Sequence, residues 1–167
     1  MSLRDDLKKF VNALGLAVED VTSSKAMRAY GKASIKLIVA RTRRGFGVQK
    51  TGTRQFRLAR LKPSTIRRRR AFTGLSSETS PGKSNLTFTG KMLDSIFVKS
   101  ARDGEVIIGP DRRRRKGGVT NEEISSFAEK GSSNSKKRPY LALSTKELRD
   151  INREFGFTFE KALKRRL

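Results

Sequence analysis

Leu3, Leu7, Phe10, Val11 and Leu14 recur at helical spacing. Ser2, with Asp5 three positions on, opens this first helix, and Gly15 is the expected stop. A second helix starts near Ser23 or Ser24. Ala26, Tyr30, Ala33, Leu37 and Ala40 trace its stripe, Met27, Ile35 and Ile38 widen it, and Lys25, Arg28, Lys32 and Lys36 cover its other side before Gly45. From Gly45 to Thr87 the periodicity fades among Gly45, Gly47, Gly52, Gly74, Gly82 and a scatter of serines. The exception is Pro63-Ser64-Thr65-Ile66, which suits the first turn of a short basic helix. Loops of that length are usually functional or disordered. Residues 45–87 are therefore expected to form an extended basic arm within a single domain spanning 1–167, ordered only when a partner is present.

The second half is more regular. Thr89 to Ile96 reads as a short helix or turn with Met92, Leu93 and Ile96 facing a core. Ile96–Ser100 and Glu105–Ile108 are strand-like, and Asp103-Gly104 between them marks a tight turn, so a β-hairpin is predicted, ending at Pro110. Thr120 with Glu123, and Ser144 with Glu147, are capping boxes. The first opens a helix with Ile124, Phe127 and Ala128 on its apolar face. The second opens a C-terminal helix marked by Leu148, Ile151, Phe155, Phe159, Ala162 and Leu163, and weakened at Gly156. The predicted class is α+β: a small antiparallel sheet containing the hairpin, packed by the second helix and the C-terminal helix, with the long basic arm inserted between helix and hairpin.

Charge changes this picture. The formal net charge is +23, with 39 Lys and Arg against 16 Asp and Glu. From Val21 to Ser77 there is no acidic residue at all, while sixteen basic ones lie there, ending in Arg67, Arg68, Arg69 and Arg70. A second basic run, Arg112, Arg113, Arg114, Arg115 and Lys116, follows the hairpin. Charge of that density is expected to need a polyanion or an acidic protein surface nearby, or to stay solvated and mobile.

Other chemistry is narrowed by what is missing. There is no Cys, His or Trp, which excludes disulfides, zinc sites built on thiolate or imidazole, and nucleophilic catalysis by Cys–His or Ser–His–Asp. The acids sit singly or in pairs on expected helices, as at Asp5-Asp6, Glu19-Asp20 and Glu122-Glu123, where they complement helix dipoles. Neither an enzyme, a metal site nor a cofactor is expected. No apolar run reaches the ~18 residues that would suggest a membrane span, and the first residues lack the apolar stretch of a secretory signal, which points to synthesis inside a cell.

Leu86-Thr87-Phe88-Thr89-Gly90-Lys91-Met92-Leu93-Asp94-Ser95-Ile96 resembles the turn of proteins that complete the head–tail neck of tailed phages, the virion-morphogenesis and tail-completion families. Further fragments fall in the family's order: the helix around Tyr30 to Ile38, Val106-Ile107-Ile108-Gly109, Glu129-Lys130-Gly131, and Arg138-Pro139-Tyr140-Leu141 before a final helix. Leu61-Lys62-Pro63-Ser64-Thr65-Ile66 is similar to a stretch upstream of the turn. Together they span roughly residues 25–165. The chain departs from the family in carrying a heavier basic insertion before Phe88, and in having Arg112 to Lys116 and then Ser126-Phe127-Ala128 where many relatives place an aromatic-Ala pair, a role for which Phe127-Ala128 is the candidate. The resemblance implies a structural virion protein that forms a ring between connector and tail around the DNA channel, assembled in the host cytoplasm. Its implied partners are further copies of itself and neighbouring connector, head-closure or tail-terminator proteins, with genomic DNA as a further candidate and no membrane.

Within that frame Gly90 provides a positive φ or a close backbone approach. Pro139 fixes an extended lead-in that delivers Tyr140 and Leu141 either to the subunit's own core or to a neighbour. Phe88, Met92 and Ile96 are core or intersubunit contacts. Arg67 to Arg70 and Arg112 to Arg115 face either DNA or an acidic wall, because a guanidinium fork grips phosphate and carboxylate alike. The rival reading is a basic RNA- or DNA-binding protein of ribosomal type without enzymatic activity. It needs aromatics interleaved with the cations, for which Phe46, Phe56 and Phe72 are the candidates.

Overall fold

The computed structural model describes residues 3–48, 54–75, 77, 79–102, 104–113, 118–131 and 136–166. Ser2, Asp103, Arg114 and Arg115, all named above, lie outside them. Among the described residues there are six helices and two separate two-stranded antiparallel sheets, so the α+β class holds. In chain order they are α1 (Leu3–Thr22), α2 (Ser24–Arg43), β1 (Phe46–Val48), β2 (Gln55–Arg57), α3 (Pro63–Arg70), α4 (Lys91–Asp94), β3 (Ile96–Arg102), β4 (Glu105–Pro110), α5 (Asn121–Lys130) and α6 (Thr145–Lys164).

The first helix runs through Gly15 to Thr22, past its expected stop. One glycine costs a helix only about 1 kcal/mol relative to Ala, and the following Leu16-Ala17-Val18 carries the helix on. The break comes at Ser23, whose Oγ accepts the Ala26 N–H at 3.3 Å and caps α2. The inward face of α1 is also not the predicted one. Ala13 and Ala17 are buried, while Leu7, Phe10, Val11 and Leu14 are exposed, Leu7 at 62%. Periodicity identified a helix; it did not tell which face the rest of the chain covers.

α2 is the organising element. It packs across the β3–β4 hairpin and against α6. Its buried side is Gly31, Ser34, Ile38, Arg41 and Thr42, which shares only Ile38 with the predicted stripe. The hairpin pairs Ile96 with Pro110 and Arg102 with Glu105, with a register irregularity between Val98 and Ser100. Ile38, Met92, Leu93, Ile96, Ala128 and Tyr140 form the core cluster. α6 packs chiefly on α1 and α2, rather than on the sheet as expected. Tyr30 meets Phe155 edge-on at 4.9 Å and donates to Asn152 Oδ1 at 3.1 Å.

Residues 45–87 differ most from expectation. In place of an extended arm, the described part carries β1, β2 and α3 and lies on the rest of the chain. Val48 and Leu58 are buried, and Asn85 and Thr87 are wholly so. Asn85 Nδ2 donates to the Arg43 carbonyl at 3.2 Å, and Ser84 Oγ to the Ala59 carbonyl at 2.6 Å. Gly47 lies so close to the Pro139 carbonyl oxygen that any Cβ there would collide with it. The physical reason is that several cations here find carbonyl oxygens and an aromatic ring within the chain, partners that a count of acidic residues does not reveal.

Candidate functional site

Two arginine-centred assemblies stand out. The first is built on Arg41 of α2, which is fully buried. Its Nη1 donates to Glu147 Oε2 at 2.5 Å, and its Nη2 donates to the carbonyls of Tyr140 and Ala142, the latter at 2.8 Å. Glu147 serves twice, because the same Oε2 accepts the N–H and Oγ–H of Ser144, each at 2.8 Å. The predicted capping box is therefore also the anchor of a buried ion pair. Burial pulls the Arg41 guanidinium below its ordinary range, and the Glu147 carboxylate opposes that shift.

Around this pair the family-like fragments meet. Gly90 has φ +75°, the left-handed conformation expected of it, and opens α4. From α4, Met92 Sδ lies 2.9 Å from the Tyr140 hydroxyl, which also shares a hydrogen bond of 2.8 Å with Ser125 Oγ. Burial pushes the Tyr140 phenol well above its usual range. Glu129 Oε1 accepts the backbone N–H groups of both Tyr140 and Leu141 at 2.7 Å. Pro139 therefore delivers Tyr140 to the chain's own core, and Met92 and Ile96 are core residues as well. Arg138 is buried too. Its guanidinium donates to the carbonyls of Ala59 at 3.1 Å, Arg60 at 3.2 Å and Lys136 at 3.2 Å, tying the basic segment to the chain that precedes α6.

The second assembly sits on α3. Pro63 begins the helix as predicted, but its four arginines are not equivalent. Arg67, Arg68 and Arg70 are exposed, whereas Arg69 retains 5% exposure. Arg69 Nη1 donates to the Lys83 carbonyl at 2.8 Å, and its guanidinium lies over the Phe88 ring at 5.4 Å. Arg68 shares that ring at 5.7 Å, and Phe72 stacks on it at 4.7 Å. Phe88 is thus a platform that gathers two cations, worth roughly 0.5–2 kcal/mol for each such contact. Among the described residues no carboxylate pairs with Arg69, and its Nε is buried without a hydrogen-bond partner. Burial lowers its pKa first, and the nearby Arg138 and Arg68 lower it further.

Arg69 lines a cavity of about 370 Å³ together with Leu61, Arg68, Leu86, Phe88 and Phe127. Leu86 holds a φ of +55°, unusual for a residue with a side chain. An adjoining cavity of about 440 Å³ takes in Lys62, Arg68, Lys136 and Arg138. Phe127, expected on the apolar face of its helix, is 54% exposed at this rim. The other basic run forms a separate place. Arg112 Nε donates to Glu122 Oε2 at 2.9 Å, and Arg113 pairs with Asp111 at 3.3 Å, both arginines remaining largely exposed. Lys99 and Arg112 hold the Glu122 carboxyl below its usual range by hydrogen bonding. The buried Arg41–Glu147 pair was missed in the sequence. Its one signal was a cation at helical spacing from Ser34 and Ile38.

No family model, curated protein or solved structure matches this chain. No helix among the described residues is long and apolar enough to cross a membrane.

Proposed function

We propose that the protein is a structural subunit of the neck joining head and tail in a tailed phage, and that it works by assembly rather than catalysis. The observation that carries this reading is the meeting of the family-like fragments in one node: Ile38 from α2, Met92 from the turn, Ile108 from β4, Glu129 from α5, and Tyr140 and Leu141 from the stretch before α6. Five short resemblances scattered along a chain mean little separately; their mutual contact is what a shared architecture requires.

The outer surface suits such a role. The exposed Leu7, Phe10, Val11 and Leu14 of α1, with Phe157 of α6, leave apolar area that an isolated subunit would not cover. Copies joined by heterologous contacts close into a ring when their rotation closes. The ring's neighbours would be connector, head-closure or tail-terminator proteins, with the virion neck as its location. The exposed Arg67, Arg70, Arg112 and Arg113 suit contacts to the phosphates of DNA in the channel, which are independent of sequence and sensitive to salt.

The rival reading, a nucleic-acid-binding protein, has the partly exposed Phe72 beside Arg68 in its favour. Against it, Phe72 stacks on Phe88 within the chain, and Phe46 lies under the chain's own Arg57 at 6.0 Å. Negative-stain imaging of the purified protein separates the two. A closed ring is expected; a monomer that copurifies with RNA would favour the rival and remove the neck reading.

A further inference from the structure

The groove beside α3 combines features that do not suit its being left empty or being filled by duplex DNA. Its most buried cation, Arg69, is nineteen-twentieths buried and, unlike the fully buried Arg41, is unmatched by a carboxylate among the described residues. A buried guanidinium in that state strongly favours an added oxyanion, since no described residue supplies the counter-charge that would offset its desolvation. The walls, however, are largely apolar, with Leu61, Leu86, Phe88, Met92, Ile124 and Phe127 outweighing Ser84, Thr89 and the further cation Arg138. A duplex presents its phosphates on a broad, strongly hydrated backbone, a poor fit to an apolar slot with the cation at its base. A carboxylate on a peptide with apolar neighbours fits both parts.

We propose that this groove is a docking site for an acidic segment of another protein, in which an Asp or Glu side chain reaches Arg69 and a flanking apolar residue packs on Phe127 and Phe88. The arrangement divides the labour. Arg68 and Arg69, held on the Phe88 ring, supply a preorganised anion fork, while the exposed Arg67, Arg70 and Lys62 around it attract an acidic partner from a distance. Phe127 supplies the exposed aromatic anchor on which such interfaces commonly depend. Charge complementarity picks out the acidic partner, and the apolar lining picks out protein. The proposal stands on the groove itself and does not require the ring.

The test is fluorescence anisotropy of the full-length protein with a short labelled peptide of alternating Leu and Glu, at physiological salt. A Leu–Gln peptide of the same length and an unlabelled DNA duplex serve as controls. The Leu–Glu peptide should bind about tenfold or more tightly than the Leu–Gln peptide, and Arg69→Met should weaken it by about tenfold or more. Phe127→Ser, a substitution at an exposed position that leaves the core intact, should also weaken it, whereas Arg112→Ala with Arg113→Ala should not. Equal binding of the Leu–Gln peptide would reduce the groove to nonspecific apolar adhesion and overturn the proposal. So would an equal loss in the Arg112/Arg113 variant, which would mean that only overall charge matters. Displacement of the peptide by duplex at equal phosphate and carboxylate concentration would make DNA the occupant. If Arg69→Met and Phe127→Ser instead dissolved a self-assembled ring, the occupant would be a second copy rather than a separate partner.

Discussion

Arg41 and Arg69 are both arginines removed from water, yet their surroundings lead to opposite conclusions. Arg41 meets a carboxylate and two carbonyls, and its partner Glu147 is itself held by Ser144; its Nε lacks a partner just as that of Arg69 does, so the difference lies in the carboxylate. Every member of that group has a structural task inside the chain. Arg69 meets one carbonyl and an aromatic face, has further cations beside it, and opens onto a cavity. A buried charge with its partner supplied is scaffold; a buried charge with none among the described residues marks a place that a further anion would complete.

The largest expected effect lies on the scaffold side. Arg41→Ala leaves Glu147 buried without its counter-charge and should lower unfolding stability by about 3–5 kcal/mol in denaturant titrations. A loss below about 1 kcal/mol would mean that the pair is better hydrated than its burial indicates. Next comes Gly47→Ala. Its Cβ would meet a backbone carbonyl, which cannot swing away as a flexible side chain can, so about 3 kcal/mol is expected from the same titrations. That variant also tests whether the 45–87 segment is truly seated on the core. A negligible cost would restore the loosely attached arm.

A smaller effect concerns Tyr140. Replacing it with Phe removes the hydroxyl from Ser125 and Met92, at about 1.5 kcal/mol. It also carries a signature in pH. The folded-state phenol pKa is raised, so above about pH 10 the unfolded chain loses this proton while the folded chain keeps it, and stability falls as pH rises, by up to about 1.4 kcal/mol per unit. Below pH 10 this contribution is fully retained. Tyr140→Phe should therefore flatten the alkaline decline, leaving the part due to Tyr30, whose phenol is also raised by burial. An unchanged slope would place Tyr140 in contact with water.

What the sequence disclosed followed a physical division. The capping boxes at Thr120 and Ser144, the start of α3 at Pro63, the Gly90 turn and the β3–β4 hairpin were all legible, because each is decided by residues within a few positions of one another. Three matters were not. Arg41 and Glu147 lie 106 positions apart, and Glu147 already had a complete local explanation as a capping residue. Small Ala13 and Ala17 face inward on α1 while larger apolar residues face out, an inversion that helical periodicity cannot distinguish from the usual arrangement. The 45–87 segment has no acidic residue before Glu78 to support it. Arg69 and Arg138 instead donate to backbone carbonyls, an acceptor that every residue supplies.

The smallest expected effect on stability is also the most telling. Equilibrium unfolding of Arg69→Met beside Arg41→Met, in one buffer without multivalent anions, compares the two sites directly. If Arg69 awaits a further anion, its replacement should leave stability within about 1 kcal/mol of the parent, the lost carbonyl and ring contacts being offset by relief of an uncompensated buried charge, while the Arg41 variant falls by several. Equal and large losses in both would contradict the account, because Arg69 would then be structural in the same sense as Arg41.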